Sequence, residues 1–228
     1  MSATPLKAEQ IDAADRLYRG VEAWRRTDEA LAALQESIPG FDGPATLLKT
    51  VAVNAMYGTN IYAIARVARH VEEVLALSDL PTAGPELVEA MAEVPPAPGG
   101  KPRRHRSFAS KFAHFFIDPD RFPILDLFAV NMVRTHLGRA AAELPEQSTY
   151  SKFAAAFGRL AGRAGLRTDT RRLDRYLWIV GQYRQWVRNP GSVINSELRA
   201  MFEADKPDLA LAAGPFYAGR SIAEIRQP

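Results

Sequence analysis

Apolar residues recur at helical spacing along almost the whole chain, and this pattern constrains the fold more than any other feature. Ile11, Ala14 and Leu17 fall on one face of a helix predicted over residues 8–18, and the same spacing continues over residues 61–75. Stretches that alternate between apolar and polar residues have no useful length here, and no internal repeat is visible. The sequence therefore predicts an all-α fold.

Turn-forming residues divide this pattern into separate helices. The stretch PPAPGGKPRRHR at residues 95–106 cannot be helical and is expected to form an exposed loop. We expect one domain over residues 1–228, with two helical lobes whose boundary lies near residues 94–106. Gly138 follows the last apolar turn of one helix and is predicted to end it. The other predicted helices cover residues 29–35, 47–55, 85–94, 108–116, 126–138, 148–165 and 169–189.

Composition excludes several classes of site. The 228 residues include no cysteine, so disulfides, thiolate zinc sites and a cysteine nucleophile are excluded. The four histidines are scattered and form no pair at metal-ligand spacing, so we expect neither a metal nor another cofactor. The amino terminus lacks an apolar signal core, and no apolar run is long enough for a membrane span. We expect a soluble, cytoplasmic monomer.

Charge is distributed unevenly along the chain. Residues 1–100 have a net charge of −6, residues 101–190 one of +10, and residues 191–228 one of −1. A basic middle attracts polyanions, and nucleic acid is the commonest polyanion of the cytoplasm. The alternative is that these arginines solvate helix surfaces and pair with the acidic first part of the chain.

Lys111 lies within the basic middle, on a predicted helix with an aromatic face. Phe108, Phe112 and Phe115 recur at helical spacing, and Lys111 lies at the edge of this apolar stripe. We therefore expect its amine to be partly desolvated. Burial disfavours the ammonium form, and a lysine pKa that falls from about 10.4 toward neutrality yields an amine able to form a Schiff base.

Asp126 follows the sequence Phe-Pro-Ile-Leu at the start of the next predicted helix. The positive end of that helix favours an ionised carboxylate. An amine and a carboxylate together suit the cleavage of a glycosidic bond, because the carboxylate stabilises positive charge at the anomeric carbon while the amine captures that carbon.

The order of these elements resembles the core of the helix-hairpin-helix DNA glycosylase superfamily, and especially its 8-oxoguanine branch. A helix with Lys111 is followed by a loop, then Pro-Ile-Leu-Asp126, then a helix that ends in Leu137-Gly138. The resemblance implies a two-lobed helical fold in which Lys111 is the Schiff-base nucleophile and Asp126 the carboxylate. It also implies excision of an oxidised purine such as 8-oxoguanine from duplex DNA, with possible AP lyase activity at abasic sites.

The DNA-contacting turn differs from the pattern of the superfamily. There a glycine-bearing turn presents backbone N–H groups to a phosphate, whereas residues 105–110 occupy that place here. Arginine charge and serine hydroxyls offer replacement donors. The predicted DNA-binding residues are Arg103, Arg104, His105, Arg106, Ser107 and Ser110.

Three short blocks resemble a bacterial family that is associated with the 8-oxoguanine glycosylase-like group: residues 54–60, 107–111 and 174–178. The polar residues at the first block, together with His114 and an aromatic residue of the last long helix, suggest a base pocket. Its candidate residues are Tyr57, Thr59, Asn60, His114 and Trp178. The favoured alternatives are that Thr59 or Asn60 caps the next helix and that His114 is packed or caps a helix. Some of the aromatic residues beside Trp178 must belong to the core.

Other functions stay open at this point. Lys111 as a solvated lysine beside a core helix, and Asp126 as a helix cap, would leave a nucleic-acid-binding protein without catalysis, of the kind found in mobile-element or defence systems. A third class is an interaction scaffold that binds no nucleic acid.

Overall fold

A computed structural model of the chain describes residues 3–141, 144, 149–166, 169–192, 194–204 and 206–218. These residues form eleven α-helices and two short 3₁₀ turns and contain no strand, which confirms the all-α prediction. In chain order the helices are α1 (Ala8–Arg19), α2 (Glu22–Ser37), α3 (Gly43–Tyr57), α4 (Ile64–Ala76), α5 (Pro85–Ala92), α6 (Arg106–Phe116), α7 (Leu127–Leu137), α8 (Tyr150–Arg163), α9 (Thr170–Arg188), α10 (Ser196–Glu203) and α11 (Pro207–Ala213).

Most helix ends follow the turn-forming residues of the sequence. Gly138 directly follows α7 with a φ of 57°, so the predicted stop is confirmed. At the start of α3 the Asp42 carboxylate accepts a hydrogen bond from the Ala45 N–H at 2.9 Å. The helix α2 is longer than predicted, because only Asp28 and Leu31 of its sixteen residues are buried and its apolar spacing is correspondingly sparse.

The helices group into two compact units. The first unit contains the described residues of 1–26, 127–142 and 159–228. Within it, α1 packs against α9 and α11, and α7 packs against α9. Gly181 on α9 permits a close approach, because a Cβ there would lie 2.8 Å from the Cβ of Phe128. This unit also buries most of the aromatic side chains of α9.

The second unit contains residues 27–126 and the described residues of 143–158. Within it, α3 packs against α4 and α6, and α5 packs against α4 and α6. Phe108 and Phe112 of α6 are 1% and 0% exposed and lie in the core of this unit. The second unit therefore surrounds α6, the helix that contains Lys111.

Residues 95–105 are not helical, as predicted, but they lie inside the second unit. The chain passes from one unit to the other after residues 26, 126, 142 and 158, and not near residues 94–106. The physical reason is that the two ends of this loop are bonded to each other: the His105 N–H donates to the Ala92 carbonyl at 2.9 Å. The loop joins α5 and α6, which pack together, and does not separate them.

Within these ranges, none of the helices combines the length and the apolar character that crossing a bilayer requires.

Candidate lysine site

Lys111 lies on α6 with only 5% of its surface exposed. Its Nζ donates a hydrogen bond to Ser107 Oγ at 2.8 Å and a longer one to the Ser107 carbonyl at 3.4 Å. The two residues are four positions apart and so occupy the same face of the helix. The predicted desolvation of Lys111 is confirmed, and the alternative of a solvated lysine is wrong.

An aromatic side chain and an acid lie beyond the amine. Lys111 Nζ is 5.9 Å from the centre of the Tyr57 ring, and the Tyr57 hydroxyl donates to Asp28 Oδ1 at 3.1 Å. Phe115, one turn after Lys111, packs on Tyr57 with 5.2 Å between ring centres. Sequence reasoning missed Asp28, which lies 29 positions before Tyr57 in the chain, is buried on α2 and belongs to no recognisable motif.

Ser110 connects α6 to the loop that precedes Asp126. Its side chain is fully buried, and its Oγ accepts a hydrogen bond from the Leu125 N–H at 3.0 Å while donating to the Ser107 carbonyl at 3.2 Å. The residue before Asp126 is thus bonded to the residue before Lys111. Asp126 itself is half-buried. The backbone therefore brings the two predicted catalytic residues into one neighbourhood.

Two further contacts hold the same loop. His114 is buried, and its Nδ1 donates to the Phe122 carbonyl at 3.0 Å. The Tyr150 hydroxyl donates to the Pro123 carbonyl at 2.9 Å. His114 is therefore a packed histidine, as the alternative interpretation had it, and it positions the loop.

The predicted DNA-binding residues have different surroundings. Arg106 is largely buried and its Nε donates to both carboxylate oxygens of Glu89, at 2.9 and 3.1 Å. Arg104 is exposed and pairs with Glu93 at 2.9 Å. Arg103 is exposed as well. His105 is half-buried, and burial, together with the positive charge of Arg103, lowers its pKa.

Thr59 and Asn60 belong to the turn between α3 and α4. Thr59 Oγ1 donates a hydrogen bond to Asn54 Oδ1 at 2.8 Å. Asn54 Oδ1 also accepts a hydrogen bond from the Ile61 N–H at 2.9 Å. Asn60 is exposed and has a φ of 56°. The N-cap of α4 is Ala63, so the prediction that Thr59 or Asn60 caps this helix is wrong, because Asn54 holds the turn instead.

Trp178 belongs to the first unit and is half-buried. Its ring packs edge-on against Trp24 and Tyr18, with ring centres 4.8 and 6.0 Å away. Three other aromatic residues of α9 are buried, which confirms that part of this aromatic set is core. They are Tyr176, Tyr183 and Trp186.

A second buried lysine was not anticipated. Lys49 on α3 is 0% exposed, and its Nζ donates to the Gly40 carbonyl at 2.8 Å. The amine lies 4.3 Å from the centre of the Phe41 ring and 5.3 Å from that of Phe116. Burial lowers the pKa of Lys49 to about 8, against a partial opposing effect of the Asp42 charge. In the sequence, Lys49 is the one charged residue of a long apolar helix, which was the available sign of burial.

Among the residues described by the structure, no group of three or more histidine, aspartate or glutamate side chains has a geometry that could hold a metal ion.

Comparisons with known proteins place residues 8–121 in a wider group. A family model described as the HI_0787 N-terminal domain matches residues 8–121. An uncharacterized protein of Haemophilus influenzae is 31% identical over 134 residues, which cover 57% of this chain and 62% of the relative. The chain thus spans less than two thirds of that relative. No solved structure matches the chain. The matched region of the family includes Lys111 and Ser107, whereas Asp126 and Trp178 lie outside it.

Proposed function

We propose, for a chain that belongs to the HI_0787 N-terminal domain family, that it is a DNA glycosylase with AP lyase activity that excises an oxidised purine such as 8-oxoguanine. The observation that supports this proposal is the amine of Lys111, 5% exposed and bonded to the Ser107 hydroxyl. A desolvated amine loses the hydration that favours its charged form, and the neutral amine is the nucleophile of Schiff-base chemistry.

The proposed reaction assigns a role to each group near Lys111. The neutral amine attacks the C1′ of the damaged nucleotide, the C1′–N bond breaks, and the base departs with the bonding electrons and takes up a proton. The carboxylate of Asp126 stabilises the positive charge that develops on the sugar. The C1′–O4′ bond then breaks, O4′ takes up a proton that Nζ loses, and C1′ and Nζ are joined as a Schiff base. Loss of a C2′ proton permits β-elimination of the 3′ phosphate, and water then hydrolyses the C1′–N bond and releases the lysine. Ser107 is a positioning residue, because its Oγ holds Nζ at 2.8 Å.

The position of Asp126 supports its pairing with Lys111. The hydrogen bond from the Leu125 N–H to Ser110 Oγ, at 3.0 Å, links the two segments at the residues directly before them. The loop that leads into α6 presents Lys101 and Arg103, both exposed, as contacts for the DNA backbone.

Borohydride trapping on duplex DNA that contains 8-oxoguanine or an abasic site tests the nucleophile. The parent protein should form a covalent adduct, and Lys111→Gln should form none. Lys152→Gln is the matched control, because Lys152 belongs to the same unit but is exposed. An unchanged adduct in Lys111→Gln would remove this residue from the mechanism.

Asp126→Asn tests the carboxylate separately. Single-turnover release of the base should slow by several factors of about ten, because the carboxylate stabilises the transition state. Each factor of ten corresponds to about 1.4 kcal/mol of lost stabilisation. Trapping on a pre-formed abasic site should be affected less, since no base has to leave. Normal base release would reduce Asp126 to a helix cap.

A second candidate is a helical nucleic-acid-binding protein without catalysis. It is favoured by Ser110, which stands at the place of the hairpin turn but is fully buried and bonded to Leu125 and Ser107. Its hydroxyl therefore serves the protein interior, and exposed Lys101 and Arg103 would supply the contacts. DNA binding that persists in Lys111→Gln, combined with absent trapping in the parent protein, would support this candidate.

A further inference from the structure

The guanidinium of Arg184, on α9 in the first unit, is bonded to uncharged groups. Its Nη1 donates to Thr135 Oγ1 at 2.8 Å and contacts Met132 Sδ at 3.2 Å. The guanidinium carbon lies 4.2 Å from the centre of the Phe216 ring. The residue is half-buried. Within the part of the chain that the structure describes, none of its bonding partners is a carboxylate.

Other arginines of the same helix are paired. Arg175 donates to Asp15 at 2.6 Å, and Arg172 forms an ion pair with Asp12. Arg184 instead has a second cation beside it, because Arg188 follows one helical turn later. Burial and the positive charge of Arg188 lower the pKa of Arg184.

A half-buried charge without a counter-charge is unfavourable, and a neighbouring cation adds to the penalty. The other groups around the guanidinium do not relieve it. Thr135 uses its hydroxyl hydrogen on the Asn131 carbonyl, at 2.8 Å. His136 is buried and adds no negative charge; burial, with a smaller effect of Arg184, lowers its pKa. Among the described residues, the surroundings of Arg184 therefore lack an anion.

The donors left on Arg184 suit an oxyanion. Nη1 is engaged with Thr135 and Met132, whereas Nε and Nη2 have no partner among the described residues. These two nitrogens form one edge of the guanidinium plane, and that edge binds two oxygens of one group side by side. The Phe216 ring covers a face of the plane and leaves its edge available.

We propose that Arg184 and Arg188 form a binding site for a phosphate group, with Thr135 and Phe216 as positioning residues for the Arg184 guanidinium. Two adjacent positive charges match a phosphate better than a carboxylate, which bears a single negative charge. The phosphate can come from a nucleic-acid backbone or from a free phosphate or phosphomonoester. The site lies in the first unit and is independent of Lys111, so it goes beyond the proposed glycosylase function.

Thermal unfolding of the full chain in inorganic phosphate, against chloride of equal ionic strength, tests the site. A ligand that binds only the folded state raises the melting temperature with its concentration. The parent protein should show a phosphate-specific rise that Arg184→Gln loses. Arg184→Lys should weaken the apparent phosphate affinity by about tenfold, because lysine retains the charge but loses the two-nitrogen edge.

Arg163→Gln is the matched control, since Arg163 is an exposed arginine of the same unit. This variant should retain the phosphate affinity of the parent within about twofold. Such a change is small, because even a tenfold change in affinity corresponds to only about 1.4 kcal/mol. Should Arg184→Gln fail to fold, Arg188→Gln replaces it and should weaken phosphate affinity several-fold. Equal responses of the parent to phosphate and chloride would overturn the proposal, and so would a full response in a folded Arg184→Gln or Arg188→Gln.

Two additional arms identify the source of the phosphate. Competition by an undamaged DNA duplex indicates a backbone phosphate, and stronger competition by a nucleoside monophosphate indicates a free phosphomonoester. Lys111→Gln should keep the phosphate response in either case. Failure of the phosphate site is thereby distinguished from failure of the glycosylase function.

Discussion

The two helical units bury charged side chains in different ways. In the first unit, Asp15 of α1 is 5% exposed and accepts a 2.6 Å bond from Arg175 of α9 and a 2.7 Å bond from Arg19. In the second unit the two most buried charged side chains that the structure describes are lysines, although Arg106 and Glu89 also form a largely buried pair there. Lys49 is 0% exposed, and a carbonyl and two aromatic rings surround its amine.

This difference separates charges that hold helices together from the amine of Lys49, whose burial favours the loss of its proton. A buried ion pair needs both partners, because either one alone would be left charged in a poor solvent. A buried lysine has the option of releasing its proton, and the low pKa of Lys49, about 8, illustrates that option.

Burial alone does not make a lysine a site. Lys49 is enclosed completely, whereas Lys111 keeps 5% of its surface exposed and bonds to a side-chain hydroxyl. We therefore assign a structural role to Lys49, and Lys111 stays the proposed nucleophile. The following changes test the contrast between the two units.

The largest effect is expected from Asp15→Asn. The change removes the anion between Arg175 and Arg19 and deprives Arg175, of which 18% of the side chain is exposed, of its ion pair with Asp15. Breaking a buried pair in this way typically costs about 3–5 kcal/mol. Urea denaturation of the variant and the parent at pH 7 measures the loss.

Asp208→Asn is the control for Asp15→Asn. Asp208 pairs with Arg16 at 2.7 Å in the same unit, but both side chains are substantially exposed. Solvent-exposed pairs of this type contribute at most about 1 kcal/mol. Equal losses in the two variants would mean that the burial of Asp15 does not matter, and the contrast between the units would then fail.

Lys49→Met should change the free energy of unfolding by an intermediate amount. At neutral pH the change should stabilise the folded chain, whereas Asp15→Asn destabilises it. The pKa of Lys49 is about 8 in the folded chain, whereas that of an unperturbed lysine is 10.5. Between these pH values the unfolded chain binds more protons, so the stability contribution of Lys49 rises with pH and is lowest below pH 8. The difference between the two pKa values corresponds to about 3 kcal/mol.

Below pH 8 the methionine variant should therefore be more stable than the parent, by up to about 3 kcal/mol less about 1 kcal/mol for the lost bond to Gly40. The gain should shrink as the pH rises to 10.5. Denaturation at pH 7 and pH 10 measures both trends, with Lys152→Met as the exposed control in the same unit. A pH-independent difference between Lys49→Met and the parent would contradict a depressed pKa of Lys49.

The sequence predicted the helices well because their signals are local. Apolar spacing identified α1 and α9, and Gly138 marked the end of α7, since each depends only on residues a few positions apart. The start of α2 was missed, because that helix buries so few residues that its apolar spacing is indistinct.

The candidate site was predictable only in part. The aromatic face of α6 correctly indicated that Lys111 is desolvated, and the spacing of four positions would also have identified Ser107 as its partner. The partner of Tyr57, which is Asp28, and the bond from Leu125 to Ser110 are contacts between distant segments. Such contacts depend on how the helices pack, and no local pattern encodes them.

Tyr176→Phe should have the smallest effect, in the first unit. His136 Nδ1 donates to the Thr4 carbonyl at 2.7 Å, so the neutral ring accepts the Tyr176 hydroxyl hydrogen at Nε2, 2.9 Å away. Loss of that donor leaves a buried acceptor unsatisfied, at a cost of about 1 kcal/mol. Thermal unfolding at pH 7 measures it, with Tyr62→Phe, at a residue 87% exposed, expected to change nothing.

The same bond predicts a direction of acid sensitivity. Burial, with a smaller effect of Arg184, holds the pKa of His136 below its usual 6.5, while the bond to Thr4 opposes this. The unfolded chain therefore binds the proton first, and stability contributed by His136 is lost as the pH falls from 6.5. The Nε2 resonance of His136 should report an unprotonated ring nitrogen at pH 7 in the parent protein. A protonated Nε2 would show that His136 donates to Tyr176 and that its ring is positively charged. The surroundings of Arg184 would then not be neutral, and the contrast drawn between Arg184 and Arg175 would fail.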